Sequence, residues 1–305
     1  MSESTRSHCT YLRADHWGMA AKACLSAVTA SQDNLAILYV GPGLAPDLSS
    51  ILTFLRAARP QTHWQIATVP AVFCRDWFSD HSHAVAMISL FLPPETFHAT
   101  IETVKGWQTV AGTVQTTPPL CVLSASTQCW TRIAEPHAVT EQWENTILGL
   151  DGRSALSVFK QDIGPLLARD LRRAEGFIHI GLVDEQDTLQ VCLKLLCDER
   201  HGCLIIDPPP EPGQKLQVIR RDQNMLRSQI TTLINDLHRL AGPRQIIAAH
   251  FMGCPSRHDW VHSHNDRDHA LLSELLGDIP FIGALSNQAP IGSATLSLLC
   301  WDDAP

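Results

Sequence analysis

Several absences narrow what this 305-residue chain can be. It has no uninterrupted apolar run of about 18 residues, the length a helical membrane span needs. It has no basic tail, and its formal net charge is −8. Nucleic-acid binding rests on clustered Lys and Arg, so no nucleic-acid partner and no membrane are expected. The nearest basic cluster, Arg169, Arg172 and Arg173, is interrupted by Asp170 and reads as a solvated helix face. A secretory leader is not seen: the first residues are polar, and the stretch Met19 to Ala30 is interrupted by Lys22 and Ser26. A cytoplasmic setting is the resulting expectation. The ten cysteines then read as reduced thiols, and Cys24, Cys121, Cys192, Cys203 and Cys300 lie in apolar runs, where cysteine behaves as a small hydrophobe. The chain has no Cys-x-x-Cys, no His-Glu-x-x-His and no Cys-x-x-Cys-His, so the common zinc and covalent-haem signatures are missing.

What remains is a globular composition, 45% hydrophobic and 18% charged, long enough for one large domain or two ordinary ones. Met19 to Ala30 is alanine-rich and reads as a helix. Leu35 to Val40 is a short apolar run stopped by Gly41-Pro42-Gly43, the pattern of a buried strand. Pro46-Asp47 opens a helix carrying Leu48, Ile51, Leu52 and Leu55 at helical spacing. Strands are predicted at 64–69, 84–92, 120–124, 144–150, 177–182, 189–196, 202–206, 215–220 and 245–252. A helix is predicted over 154–174, with a break or kink at Gly164-Pro165, and another over 222–240, stopped by Gly242-Pro243. A boundary falls near residues 131–146.

The last third is the most informative. An apolar run, Gln245 to Met252, leads into Gly253-Cys254-Pro255-Ser256-Arg257. A histidine-rich loop follows, then a helical stretch ending at Glu274-Leu275-Leu276-Gly277-Asp278, then Ile279-Pro280-Phe281-Ile282-Gly283. Three stretches resemble the FIST family of intracellular sensory proteins. Asn145 to Leu156 is similar to that family's junction "N-x-I-x-E-L-D-G-x-P-A-L". Phe251 to Arg257 is similar to its apolar strand ending in "C-x-G-R". Glu274 to Gly283 resembles the helix and strand before its "G-E-I" turn.

The resemblance implies an α/β fold of two related lobes with mixed sheets flanked by helices. A FIST N-like segment would cover 16–144 and a FIST C-like segment 145–305. It also implies a non-catalytic, ligand-binding sensor of an amino-acid-like molecule or organic anion, signalling to a separate protein. The chain departs from the pattern in four places. Ser256 replaces a glycine, Gly149 an acidic residue and Ser154 a proline, and the region Gln288 to Gly292 has no carboxylate. A scaffold that has lost its ligand is therefore a further alternative.

On this reading Gly253, Cys254, Ser256, Arg257 and Trp260 form the ligand site. Arg257 offers a forked, permanent cation to a ligand anion, and Arg257→Ala is expected to weaken binding with little loss of stability. The competing reading of Arg257 is a structural ion pair with Asp259, Asp266 or Asp268. Trp260 would stack on the ligand. Cys254, with His250 or His258 as base, is the centre of an alternative metal- or thiol-dependent enzyme. His250, Cys254, His258 and His262 recur every fourth residue, which on a continuous helix would make a metal face, but Gly253 and Pro255 argue against one. No cofactor is predicted. A non-covalent haem is the remaining alternative, with His179 or His250 as axial ligand.

Overall fold

The computed structural model describes residues 6–31, 33–75, 77–103, 110–174, 178–187, 189–192, 194–221, 223–257 and 267–302. His258, Trp260 and His262 lie outside the described residues. Two compact units form, one from Met1–Gln128 with Leu226–Pro305, the other from Cys129–Met225. These units do not coincide with the segments 16–144 and 145–305.

The first part of the chain runs β1 (Arg6–Arg13), α1 (Trp17–Ser31), β2 (Leu35–Val40), α2 (Leu48–Ala58), β3 (His63–Thr68), β4 (Ala71–Cys74), β5 (Trp77–Ser79), β6 (Ala84–Phe91), β7 (Phe97–Thr103), β8 (Val110–Thr116) and β9 (Leu120–Gln128). The inserted unit follows with β10 (Trp130–Arg132), β11 (His137–Trp143), β12 (Thr146–Leu150), β13 (Arg153–Ser154), α3 (Ala155–Leu167), α4 (Leu171–Ala174), β14 (Ile178–Val183), β15 (Leu189–Val191), β16 (Lys194–Asp198), β17 (Cys203–Asp207) and β18 (Lys215–Arg221). The chain then adds α5 (Gln223–Ala241), β19 (Gln245–Gly253), α6 (Asp268–Leu276), β20 (Phe281–Leu285) and β21 (Ser293–Trp301).

The larger unit stacks its elements in layers. One six-stranded sheet has the order β1-β6-β2-β3-β8-β7 and the other β5-β4-β20-β19-β21-β9. Both are mixed: β2 with β3 and β19 with β20 are parallel, the remaining pairs antiparallel. Side chains alternate across a strand, and here both faces are covered. From β2, Ala36, Leu38 and Val40 pack with Ala20, Cys24, Ile51 and Leu55 of α1 and α2. Leu35 and Tyr39 point the other way, into a layer shared with Val72, Cys74, Ile247, Ile282 and Ala284 of the second sheet. That sheet's far face, with Phe251, Phe281, Leu285 and Leu296, is covered by Ile230, Leu233, Ile234 and Leu237 of α5 and Leu271, Leu272 and Leu276 of α6. The order is helices, sheet, sheet, helices. Burial on both faces is why β2, β6 and β19 read as continuous apolar runs. Gly283 permits the closest approach in this core, since a Cβ there would meet the Phe73 ring at 2.0 Å.

The smaller unit is an antiparallel sheet with the order β15-β14-β18-β11-β12-β17-β16, to which β10 and β13 add at β18 and β12. Its core packs Leu156, Phe159 and Ile163 of α3 on Ile147, Ile178, Ile180, Leu204 and Val218. The break expected at Gly164-Pro165 is present: Gly164 adopts φ 80°, ψ 163°. The single strand expected over 189–196 is two, because β15 pairs with β14 while β16 pairs with β17. Overall the chain is α/β with mixed sheets.

Candidate functional site

The apolar run of β19 is held between β20 and β21 and delivers Gly253 to the carboxyl end of the sheet. There the Gly253 carbonyl accepts from the Ser286 N–H at 2.8 Å, and the Cys254 N–H donates to the Ser293 carbonyl at 3.0 Å. A short 3-10 turn, Pro255–Arg257, follows. The Ser256 hydroxyl accepts from the Gly292 N–H at 3.1 Å and lies 3.0 Å from the Cys254 thiol. The structure thus brings Gly253, Cys254, Ser256 and Arg257 together, against the loop that precedes β21.

Arg257 does not face solvent. It is 1% exposed, and its Nε and Nη2 donate to the two carboxylate oxygens of Asp268, each at 2.9 Å. Its Nη1 donates to the Gly292 carbonyl at 3.0 Å. Asp268 opens α6, where a carboxylate is also favoured by the helix dipole. This forked, buried pair ties the turn after β19, the start of α6 and the loop before β21. Of the partners weighed from sequence, Asp268 is engaged by Arg257, and Asp259 and Asp266 lie outside the described residues.

His250 lies away from that turn, in the layer between the sheets. Its Nε2 is 2.6 Å from the Tyr39 hydroxyl. Burial pushes the imidazole down to about 4, so it is neutral at pH 7, and burial raises the Tyr39 phenol. The nitrogen that an axial haem ligand would use is engaged by Tyr39, so His250 as placed does not fit an iron. His179 sits 5.0 Å from the Trp130 ring, edge-on. No cluster of three or more His, Cys, Asp or Glu able to hold a metal ion occurs among the described residues.

A cleft of about 640 Å³ lies elsewhere in the larger unit, beside the amino ends of β2 and β3. Asp33, Asn34, Arg59, Gln61, His63, Phe91, Pro94 and Phe97 line it. Asp33 is 1% exposed; its Oδ2 accepts from the Ser89 hydroxyl at 2.5 Å, and its Oδ1 has no hydrogen-bond partner among the described residues. The Arg59 Nε likewise has none. Buried polar atoms left unpaired are uncommon, and two border one cleft. Asn34 is pinned by bonds to the Leu92 carbonyl (2.6 Å) and N–H (2.9 Å), and the His63 ring meets Phe97 edge-on at 5.5 Å. Sequence reading missed this site because its residues come from three separate stretches, 33–34, 59–63 and 91–97, with no common motif. Isolated polar residues beside buried strands, such as Asp33-Asn34 before Leu35, were the available signal.

A second cleft of about 640 Å³ in the smaller unit is lined by Arg169, Arg172, Asp198, Glu199 and Arg200 among others. It contains part of the basic cluster, interleaved with carboxylates. Neither cleft is lined by residues 253–257.

No curated protein matches the chain. Residues 155–287, from the start of α3 to just beyond β20, match the FIST C domain. That segment contains the Gly253–Arg257 turn and Asp268; the Asp33–Phe97 cleft lies before it. No helix among the described residues is long and apolar enough to cross a membrane. The likeness is to the FIST C domain, a sensory ligand-binding domain of signal transduction, and it covers 133 of the chain's 305 residues.

Proposed function

We propose that the chain is a cytoplasmic, non-catalytic sensor that binds a small amino-acid-like ligand and reports it to a separate signalling protein. The FIST C match carries this reading. The seat we assign is the cleft at Asp33 and Arg59, preceding the matched segment in the part read as FIST N-like. A carboxylate and a guanidinium bordering one opening complement an ammonium and a carboxylate on one molecule. They suit a zwitterion better than a simple organic anion, which Asp33 would repel. The cleft's volume is in the range of small-molecule sites. Signalling would follow population shift, the ligand favouring one arrangement that a partner recognises.

A second seat is favoured by a specific observation: the Gly253–Arg257 turn lies at the carboxyl ends of the parallel pair β19 and β20, where sheet proteins commonly bind ligands. There Cys254 and Ser256 would contact the ligand. Arg257, committed to Asp268, would act by holding the turn rigid.

Thermal unfolding with a panel of L-amino acids, matched amines and matched carboxylates tests both seats. A ligand at about 100 times its dissociation constant stabilises by about 2.7 kcal/mol. The expected result is stabilisation by an amino acid that Arg59→Met and Asp33→Asn abolish and Ser256→Ala preserves. The reverse pattern moves the seat to the turn. No stabilisation by any amino acid refutes the ligand class.

A further inference from the structure

A different pair of side chains has chemistry that ligand sensing does not use. Cys9 of β1 stands opposite Ile88 of β6, and so faces the layer between the two sheets of the larger unit. Cys74, the last residue of β4, enters the same layer from the other sheet and is fully buried. Both thiols enter the same layer, and the Cys9 thiol donates to the Phe281 carbonyl at 3.4 Å, on β20, the strand that pairs with the β4 strand carrying Cys74. Cys9 is only half-buried. Arg75, next to Cys74, adopts φ 50°, and its guanidinium donates to the Asp278 carbonyl at 3.0 Å, leaving it close enough for its charge to act on Cys9.

The electrostatics of the pair are asymmetric. Interaction with the Cys74 thiol holds the Cys9 thiol below its ordinary range, burial opposes this, and the Arg75 charge reinforces it. The same interaction pushes the Cys74 thiol up, with burial adding to the rise. Burial raises Cys24 and Cys192 to about 12 and Cys300 to about 11. A thiol that is accessible, paired and favoured as thiolate is the kind that oxidants select.

We propose that Cys9 and Cys74 are a hydroperoxide-oxidisable site, with Cys9 as the attacking thiol and Cys74 as the resolving one. In the first step the Cys9 sulfur attacks a peroxide oxygen. The S–O bond forms, the O–O bond breaks, and the leaving oxygen departs with a proton as water or alcohol. In the second step the Cys74 sulfur attacks Cys9. The S–S bond forms, the S–O bond breaks, and the hydroxide leaves as water with the Cys74 proton. Two thiols are thereby oxidised by two electrons and one hydroperoxide is reduced. The product links β1 to β4, and so one sheet of the larger unit to the other.

The test uses the full reduced chain with one equivalent of hydrogen peroxide, followed by alkylation and peptide mass spectrometry. The expected first product is a Cys9–Cys74 disulfide. In Cys74→Ala, Cys9 should instead accumulate as a dimedone-trappable sulfenic acid. Arg75→Met should slow Cys9 oxidation by about threefold or more. The cross-strand pair Cys121 and Cys300, directly opposed on β9 and β21, is an internal competitor. A first disulfide at Cys121–Cys300, or Cys9 oxidising no faster than Cys121, overturns the proposal. Competitive alkylation of the unmutated protein gives the same decision without a variant: Cys9 must be the fastest of the ten thiols.

Discussion

Replacing Arg257 with alanine strands the Asp268 carboxylate. Asp268 is 3% exposed and receives two of its hydrogen bonds from that one guanidinium. Removing one partner of a buried, forked ion pair costs about 3–5 kcal/mol, because the remaining charge is left without compensation. A domain of this size loses about 2–4 °C of melting temperature per kcal/mol, so a fall of roughly 6–20 °C is expected. Asp268→Ala should be similarly costly, leaving the guanidinium buried. The double replacement Arg257→Met with Asp268→Leu removes both charges and should recover most of the loss. Thermal unfolding of the two singles and the double at pH 7 gives the coupling between the sites. If Arg257→Ala lowers the melting temperature by less than about 2 °C, the pair does not hold the turn in place and this reasoning fails. The structure thus replaces the expectation that Arg257→Ala would leave stability nearly untouched. That expectation assumed a guanidinium reaching out to a ligand, whereas the side chain is enclosed.

Two histidines predict pH responses of opposite sign. His250 has its folded pKa depressed from 6.5 to about 4 by burial, so the unfolded chain binds the extra proton. Its contribution is complete above about 6.5 and lost as pH falls towards 4, roughly 3 kcal/mol in all. Denaturant unfolding at pH 4.5 and 7 should show this loss, and His250→Leu should flatten it; an equal slope in the variant removes His250 as the cause. His137 bonds Asp151 at 2.6 Å and Asp162 at 2.8 Å. Burial disfavours its cation, but those two carboxylates outweigh burial and raise its pKa. Its contribution is complete below about 6.5 and lost as pH rises through the higher folded value. Imidazole proton shifts followed by NMR should place its titration above that of an exposed histidine, and a midpoint at or below 6.5 would contradict it.

Much of the helical framework was legible because its signals are local. Leu48, Ile51, Leu52 and Leu55 mark one face of α2, and all four are buried. Gly164-Pro165 announced the break in α3. Strands buried on both faces, such as β2 and β6, stood out as apolar runs. The strands at Arg6–Arg13, Ala71–Cys74, Phe97–Thr103, Val110–Thr116 and His137–Trp143 were not recognised. Four of them mix polar with apolar residues, and the fifth, Ala71–Cys74, is apolar but only four residues long; such strands are stabilised by partners distant in sequence.

The site divides in the same way. The sequence by itself located the turn after β19, since Gly253-Cys254-Pro255-Ser256-Arg257 follows an apolar run, and it carried the FIST C resemblance over residues that the family match includes. It could not say which aspartate neutralises Arg257, nor that Tyr39, 211 residues away, holds His250. Nor could it bring Asp33, Arg59, His63 and Phe97 to one cleft, or Cys9 and Cys74 to one layer. Those facts belong to tertiary structure because charge compensation, desolvation and thiol pairing depend on distances across layers. A linear pattern encodes the period of a helix or strand, but the contact between two sheets is fixed only when their faces pack.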